Sequence, residues 1–363
     1  MKPRRVGFVI GNQLREIRLL SADKPGGGAM GEMRFQWIAD WVNAQAPLGL
    51  RYELHRPWRR YDALVFLKAM GGANQRLNDR FRRSGRATLF DANVNYYHPG
   101  GTFYYDGMRP TEQQARDAIA MTQSVSAVIA DSPYVADQAR AYHPRVEWIP
   151  DNVNLSLVPP LQARSIPRRP LPLWWSGQAV KLFELLSIEA PLRAVARHIE
   201  LRLVTNDLAA LARWFPGHRE RFQRLLADVP HRIIPYQSIP HLLGLYAEGG
   251  VAISPRFLDN TYNLGHTEWK ITLPMACGCP ALAAPVPSYV ALSRAAAGQG
   301  VRICATDDEW RGAFDAWLSG GGSDDVERAA ARSVVEKEYA TPVIAQRHAR
   351  WISETLAATG GAA

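Results

Sequence analysis

Short apolar runs alternate with amphipathic segments along most of this chain, and the alternation comes in two blocks. The first block predicts strands at residues 6–10, 63–67, 88–91, 127–131 and 146–149. The second predicts strands at residues 173–176, 200–205, 231–235 and 251–255. Segments of helical periodicity lie between them. Strands separated by helices pair in parallel through right-handed crossovers, so the order predicts an α/β fold with parallel sheets.

A proline-rich stretch, VPPLQARSIPRRPLP, separates the two blocks. It indicates a linker, and 363 residues are enough for two domains. The predicted units are an N-terminal domain, a linker, a C-terminal domain and a terminal helix that starts with Thr341 and Pro342. Their bounds are residues 1–157, 158–172, 173–340 and 341–358. Two such domains leave a cleft between them, which is a common ligand site.

The net charge of +9 is concentrated at the N-terminal end, where residues 1–150 hold 21 Lys and Arg against 14 Asp and Glu. This excess suits an anionic acceptor or an acidic membrane surface, and an arginine-rich surface without a partner would look the same. No nucleic-acid-binding signature accompanies it. The first residues lack the apolar run of a signal peptide, and the three cysteines suit buried positions in a reducing compartment. We therefore expect a cytoplasmic protein, peripheral at the inner membrane face if the basic surface meets lipid.

The stretch VAISPRFLDNTYNLGHTEWKITLPMACGCPALAAPVPSY, residues 251–289, carries the strongest functional signal. A buried strand leads through a polar loop into a helix at 269–277, which Gly278 stops before a second strand. A loop that opens onto a helix N-terminus after a parallel strand is where α/β proteins hold anions. Because Thr267 and Lys270 lie at this point, the pattern predicts phosphate binding.

This strand–loop–helix–strand order, with the helix ending in MACGCP, resembles the donor-binding half of GT-B glycosyltransferases, and most closely the family-4-like group. An ordinary βαβ unit of another α/β enzyme is the alternative. The resemblance implies two Rossmann-like domains that face each other across a cleft, and a terminal helix that crosses back to the N-terminal domain. It also implies sugar transfer from a nucleotide-sugar donor with retention of configuration. No cofactor is expected. The chain has no Asp-x-Asp motif, so we expect metal-independent transfer.

The segment WWSGQAVK at 174–181 resembles the family loop in which an Arg and a Lys balance charge on the leaving diphosphate. Lys181 matches that lysine, whereas Gln178 stands where the family has arginine. We expect Arg256 to supply the second cation and Lys270 to act with both. The loop residues Ser176 and Gly177 would line the donor.

The family places two acidic residues eight apart beside the donor, and this chain has Gly265 and Leu273 at those positions. The backbone amides around residues 265–267 are therefore predicted to hold the sugar and phosphate instead. His266 is assigned to binding rather than proton transfer. The further predicted donor contacts, at strand ends and in the same loop, are Asn206, Tyr236, Asn260 and Thr267.

Two segments of the N-terminal half resemble the family's acceptor side. A glycine-rich loop, PGGGAMGEMR at 25–34, assigns Gly27, Gly28 and Arg34 to the cleft. The run TLFDANVNY at 88–96 assigns Asp91 and Asn95, and Asn95 stands where the family commonly has an acid. A turn-capping role for Asp91 is the alternative.

The sequence thus predicts a glycosyltransferase whose acceptor is a glycan, a lipid-linked molecule or another small molecule. One alternative is a sugar-nucleotide epimerase on the same scaffold, although such enzymes need more cleft acids than this chain offers. The other is a non-catalytic GT-B-like subunit that binds a sugar nucleotide in support of a partner. Turnover of a nucleotide sugar would separate the enzyme from the subunit.

Overall fold

The computed structural model describes residues 3–11, 30–105, 107–161, 170–215, 217–320 and 325–360. Gly27 and Gly28 lie outside these described residues, as does the central part of the proline-rich stretch. The described residues form two α/β halves, each built around its own parallel sheet.

Six parallel strands form the N-terminal sheet in the order β2-β1-β3-β4-β5-β6. They are β1 (Arg4–Ile10), β2 (Leu50–Leu54), β3 (Ala63–Leu67), β4 (Ala87–Ala92), β5 (Ala127–Ala130) and β6 (Val146–Trp148). Every residue of β3, β4 and β5 is buried, because helices cover both faces of the sheet. This burial explains why these strands read as continuous apolar runs.

Strand β2 was not predicted from the sequence. Its residues LRYEL alternate, with Leu50 and Tyr52 buried and Arg51 exposed. The strand lies at the sheet edge, where such alternation is typical, and a search for continuous apolar runs passes over it.

Two of the four α-helices described in the N-terminal half begin with side-chain caps. The four helices are α1 (Trp37–Gln45), α2 (Gly72–Arg83), α3 (Glu112–Ser124) and α4 (Pro133–Arg140), and the π-helical turn Glu32–Gln36 leads directly into α1. Thr111 and Gln114 form a reciprocal capping box at the start of α3. Ser132 caps α4, whose first residue is a proline.

The C-terminal sheet has the order β12-β11-β10-β7-β8-β9, again with all strands parallel. Its strands are β7 (Leu171–Gly177), β8 (Ile199–Thr205), β9 (His231–Pro235), β10 (Val251–Ser254), β11 (Ala281–Ala283) and β12 (Val301–Ile303). Strand β7 begins two residues inside the predicted linker, and both of those residues are buried.

Helices and tighter turns connect these strands. The α-helices are α5 (Glu189–Ala194), α6 (His218–Asp228), α7 (Ile239–Tyr246), α8 (Thr261–Leu264), α9 (Trp269–Ala276), α10 (Pro287–Ala295), α11 (Asp307–Leu318) and α12 (Asp325–Val334). The segment after β7 is a 3-10 helix, Ala179–Ile188. Gly278 follows α9 with φ +74°, a left-handed conformation that ends the helix.

The last helix, α13 (Thr341–Gly360), packs on the N-terminal half. Its buried residues Ile344, Ala349 and Ile352 share a hydrophobic core with β1 and α1. His348 Nδ1 lies 3.0 Å from the hydroxyl of Tyr52 on β2. Among the described residues, no helix combines the length and the apolar character that crossing a bilayer needs.

A second connection between the halves is the tyrosine strap, residues 100–105. It leaves the N-terminal half after β4 and forms isolated antiparallel bridges with the C-terminal half. The ring of Tyr104 stacks against Phe183 at 4.9 Å and against Phe257 at 4.5 Å. Its hydroxyl donates to Asp259 Oδ2 at 2.8 Å. The strap therefore contributes aromatic rings to the core of the opposite half.

Candidate active site

Three cations from separate parts of the C-terminal half meet at the carboxyl ends of β7 and β10. Lys181 lies in the 3-10 helix after β7, Arg256 follows β10, and Lys270 lies in the first turn of α9. They are the three cations that the sequence predicts at the leaving phosphate. The structure brings them together around one buried carboxylate, that of Glu184.

Glu184 pairs with two of the three cations. Arg256 Nη1 forms a hydrogen-bonded ion pair with Glu184 Oε1, and both side chains are inaccessible to solvent. Arg256 Nη2 also donates to the hydroxyl of Tyr289 at 3.4 Å. Lys270 Nζ lies 3.8 Å from Glu184 Oε2. Because one carboxylate serves both Arg256 and Lys270 and the charge of Lys181 also acts on Lys270, the cluster carries an excess of positive charge when Lys270 is protonated.

Burial and the neighbouring positive charge both affect the pKa of Lys270. Burial and the charge of Arg256 lower this pKa well below its usual range, although Glu184 acts in the opposite direction. The ammonium also lies 4.9 Å from the centre of the Trp175 ring. An anion bound beside Lys270 would favour the protonated ammonium, since an opposite charge stabilises the charged form. The cluster is therefore suited to a phosphate-bearing ligand.

His266 lies against the same cluster. Its Nε2 is 3.3 Å from Lys181 Nζ, and burial followed by the charges of Arg256, Lys181 and Lys270 lowers the pKa of His266 well below its usual range. The ring is therefore neutral at pH 7 and accepts a hydrogen bond from the lysine. Lys181 Nζ also lies 5.0 Å from the centre of the Tyr262 ring. These contacts orient Lys181, and they suit His266 to binding rather than to proton donation.

Gly177 permits the close approach of Lys270 to the end of β7. A Cβ atom at this position would lie 2.8 Å from Lys270 Nζ and 3.0 Å from the Trp175 ring. Any larger residue would therefore displace the ammonium or the ring.

The other predicted donor residues of this half lie along the ends of β7, β8 and β9. Ser176 Oγ accepts a hydrogen bond from Tyr246 at 2.7 Å. Gln178 and Asn206 are exposed, and Asn206 Oδ1 caps the 3-10 helix through its first amide at 2.6 Å. Tyr236 is partly buried, and burial raises its pKa to about 12. These side chains rim the carboxyl edge of the sheet beside the cations.

The loop amides do not have the role that the sequence suggests. Residues 261–264 form helix α8, and its closing turn uses the amides of Gly265 and His266. The Gly265 amide donates to the carbonyl of Thr261 at 3.2 Å, and that of His266 donates to the carbonyl of Asn263 at 3.2 Å. Asn260 caps the same helix through Oδ1. Two of the amides assigned to the anion are therefore already engaged.

Gly265 and Thr267 instead belong to the seam between the two halves. The carbonyl of Gly265 accepts from Ser132 Oγ at 3.1 Å, and a Cβ atom on Gly265 would lie 2.9 Å from the Cβ of Asn95. The side chain of Thr267 lies beside Asp151 and acts to lower the pKa of that carboxyl. Asn95 Nδ2 donates across the seam at 3.3 Å to the carbonyl of the first residue of α8. The predicted cleft residue Asn95 thus connects the halves.

Arg34 is a buried structural cation in this structure, not an open acceptor contact as predicted. It is 1% exposed, and its Nη2 and Nε donate to the two carboxylate oxygens of Asp91 at 2.8 and 3.3 Å. Its Nη1 donates to the carbonyl of Ile149 at 2.7 Å and lies 3.4 Å from Asp151 Oδ1. Because β4 and β6 end on either side of β5, the carboxylates of Asp91 and Asp151 reach this arginine from two directions.

Two further buried acids lie at the seam, and neither was assigned to the site from the sequence. Asp131 follows β5 and is 3% exposed, and Glu268 precedes α9 and is fully buried. Burial, followed by neighbouring acids that include Asp151, raises the pKa of both residues well above their usual range. Across the described residues, no group of three or more side chains has the arrangement that holds a metal ion.

No protein-family model matches this chain, and no curated protein matches it. Several solved structures are similar to it. Sucrose-phosphate synthase from Thermosynechococcus elongatus superposes with a TM-score of 0.68 at 14% identity, covering 98% of this chain and 100% of that one. Anabaena HepE in complex with UDP and glucose gives 0.62 at 12% identity, covering 97% and 100%. The lipopolysaccharide outer core galactosyltransferase WaaB gives 0.62 at 10% identity, covering 96% and 99%.

The chain has the GT-B fold. The predicted class, two Rossmann-like domains across a cleft, is therefore confirmed. These GT-B structures do not separate family 4 from other GT-B families, so that assignment stays a prediction.

The acid near the cations of this GT-B chain is Glu184, which the sequence reasoning did not single out. The two positions of the family's acidic pair hold Gly265, on the seam, and Leu273, which is 2% exposed in the core. A signal for Glu184 was nevertheless present, because it interrupts the apolar run of residues 179–188. A buried acid in such a run needs a cationic partner.

Proposed function

We propose that this protein is a glycosyltransferase that moves a sugar from a nucleotide-sugar donor to a glycan, a lipid-linked acceptor or a small molecule. The observation that carries the proposal is the convergence of Lys181, Arg256 and Lys270 at the carboxyl edge of the C-terminal sheet. In open α/β sheets this edge is the usual ligand site.

The chemistry of sugar transfer explains the need for cations. When the bond from the sugar to the diphosphate breaks, negative charge develops on the leaving phosphate. Preorganised positive groups aimed at such developing charge typically contribute about 10²- to 10³-fold each to the rate. Lys181 and Lys270 are partly accessible to solvent. Arg256 is enclosed, and it acts by contributing to the positive electrostatic potential at the site. Their charges supply compensation that does not require a metal ion.

The nucleotide would extend from the cations along the ends of β7, β8 and β9. Ser176 and Gly177 would lie nearest the phosphates, and Asn206 and Tyr236 nearest the nucleoside. HepE is a GT-B protein whose structure contains UDP and glucose, which favours a uridine nucleotide as the first donor to test. Retention of configuration, with the leaving phosphate acting as base, belongs to the same proposal.

One specific observation favours the second candidate, a non-catalytic subunit that binds a sugar nucleotide. The positions of the acidic pair are occupied by Gly265 and Leu273, and two of the three loop amides that could have replaced those acids are engaged in α8. In this case the cations would bind the diphosphate without bond cleavage.

Donor binding and turnover test the proposal in that order. We expect UDP and UDP-sugars to raise the melting temperature, since a ligand at 100 times its Kd stabilises the folded state by about 2.7 kcal/mol. Release of UDP from one of these sugars by the wild-type protein would then identify an enzyme. Binding without release, under any acceptor of a broad panel, would favour the subunit. The absence of any shift with all nucleotide sugars would contradict both candidates.

A cytoplasmic location, with peripheral contact at the inner membrane face, completes the proposal. The peripheral contact is supported by the basic charge of residues 1–150.

A further inference from the structure

Five arginines line a cavity of about 480 Å³ on the N-terminal half. They are Arg4, Arg5, Arg59, Arg60 and Arg86. Arg4 opens β1, Arg86 precedes β4, and residues 59 and 60 precede β3. The cavity therefore lies at the amino ends of these parallel strands. This is the edge opposite the one that bears the candidate active site residues of that half.

The arginine pocket has more positive charge than its neighbouring acids can balance. Asp62 lines the cavity and accepts a hydrogen bond from the backbone amide of Arg5 at 2.7 Å. Glu53 pairs with Arg59 at 2.5 Å and with Arg5 at 3.7 Å. Within the described part of the chain, no acid forms an ion pair with Arg60, whose side chain is exposed. Guanidinium groups bind phosphate oxygens in pairs, so phosphate is the chemistry that this pocket fits.

Trp58 identifies which phosphate source fits best. Its side chain is 81% exposed, more than any other large hydrophobic side chain among the described residues. It belongs to the segment RPWRR at 56–60, which also supplies two arginines of the pocket. Tryptophan flanked by arginines favours the membrane–water interface, where the indole enters the headgroup layer and the guanidinium groups meet phosphate. A soluble phosphate ligand gives no reason to expose this ring.

We propose that the arginine pocket binds the phosphate groups of anionic phospholipids, with Trp58 inserted into the interfacial layer. The orientation of the protein follows from the sheet. Strand β1 has seven residues, which span about 23 Å at 3.3 Å per residue. The cleft edge therefore stays on the side away from the bilayer and open to water. The proposal stands on a surface separate from the cation cluster, so it holds or fails independently of sugar transfer.

Vesicle sedimentation of the full chain tests the proposal. Vesicles of phosphatidylcholine containing phosphatidylglycerol should bind the wild-type protein, and vesicles of phosphatidylcholine alone should not. Binding should fall steeply as salt rises from 50 to 500 mM, because salt screens surface charge. The double variant Arg59→Gln/Arg60→Gln should partition onto the anionic vesicles about 30-fold more weakly than the wild-type protein. This is the loss expected when two arginines that face an anionic membrane surface are neutralised. Trp58→Ser should weaken binding while the salt dependence persists.

The matched control is Arg80→Gln/Arg83→Gln, which removes the same charge from exposed positions on α2. Melting temperatures of all variants establish that each is folded. The proposal is overturned if the control loses as much binding as the pocket variant, because net charge alone would then explain the attachment. It is also overturned if anionic vesicles do not bind. Stabilisation by inorganic pyrophosphate of the wild-type protein but not of Arg59→Gln/Arg60→Gln, without vesicle binding, would instead identify a soluble phosphate ligand at this pocket.

Discussion

The substitution Arg34→Met tests the reassignment of Arg34 from acceptor contact to buried structural cation. The side chain donates at 2.8 and 3.3 Å to Asp91 and at 2.7 Å to a backbone carbonyl, and Asp151 lies at 3.4 Å. Methionine fills a similar length but leaves both carboxyl groups without their cation. Removing one partner of a buried ion pair costs about 3–5 kcal/mol, because the remaining charge stays desolvated. Native domains are stable by only about 5–15 kcal/mol, so this is a large fraction.

The pH dependence of that loss distinguishes lost charge pairing from lost packing. Burial already raises the pKa of Asp91 and of Asp151 in the wild-type protein, although Arg34 acts to lower both values. Without Arg34 these folded-state pKa values rise further, while the unfolded values stay near 3.9. Stability is therefore lost as pH rises, by about 1.4 kcal/mol per pH unit for each proton that only the folded state retains. The variant should be closer to wild type at pH 5.5 than at pH 7.5.

Urea unfolding of the two proteins at both pH values, followed by circular dichroism, measures the effect. Arg116→Met is the matched control, since Arg116 is 63% exposed and should contribute less than about 1 kcal/mol. Asp91→Asn in the Arg34→Met background should restore part of the stability. A loss below 1 kcal/mol at pH 7.5, or an equal loss at both values, would refute the reasoning.

Three further predictions concern the tyrosine strap, Gly177 beside Lys270, and the seam between the two halves. Tyr104→Ala removes a ring stacked on two phenylalanines at 4.9 and 4.5 Å. The free energy of unfolding in urea should fall by about 3–5 kcal/mol. A fall below about 1 kcal/mol would show that the tyrosine strap adds little to stability. Gly177→Ala places a methyl 2.8 Å from Lys270 Nζ and should weaken binding of UDP at least tenfold in calorimetry, on protein that circular dichroism shows to be folded. Unaltered affinity would contradict this placement. Glu268 has a raised folded pKa, so wild-type stability should decline as pH rises from 5 to 8. Glu268→Gln should flatten that decline, and parallel curves for the two proteins would count against a protonated Glu268.

Much of the fold follows from patterns local in sequence. Buried parallel strands are continuous apolar runs, so β3, β5 and β10 could be located from the sequence. The proximity of the cations could also be predicted, because Lys181 and Lys270 lie in recognisable strand–loop–helix positions, and their role at a leaving phosphate stays a prediction. The edge strand β2 could not be found this way, since its alternating residues resemble those of an amphipathic loop.

The details of the site depend on contacts between residues far apart in the chain. The pair of Glu184 and Arg256 joins residues 72 positions apart, and that of Arg34 and Asp91 joins residues 57 apart. No local pattern specifies such partners. For the same reason Arg34 looked available to an acceptor, and the Gly265 amide looked available to a phosphate. Folding engaged the first with carboxylates and the second in α8.

The central claim is that the cation cluster stabilises a leaving diphosphate, and the substitution Lys270→Ala tests it most directly. The measurement is kcat/KM for UDP release from the donor that the wild-type protein turns over. The control is Lys337→Ala, an exposed lysine in the π-helical turn Val335–Tyr339 that follows α12. We predict a loss of about 10²- to 10³-fold for Lys270→Ala, an unchanged melting temperature, and wild-type kinetics for the control. Activity of Lys270→Ala within threefold of the wild-type protein would contradict the account.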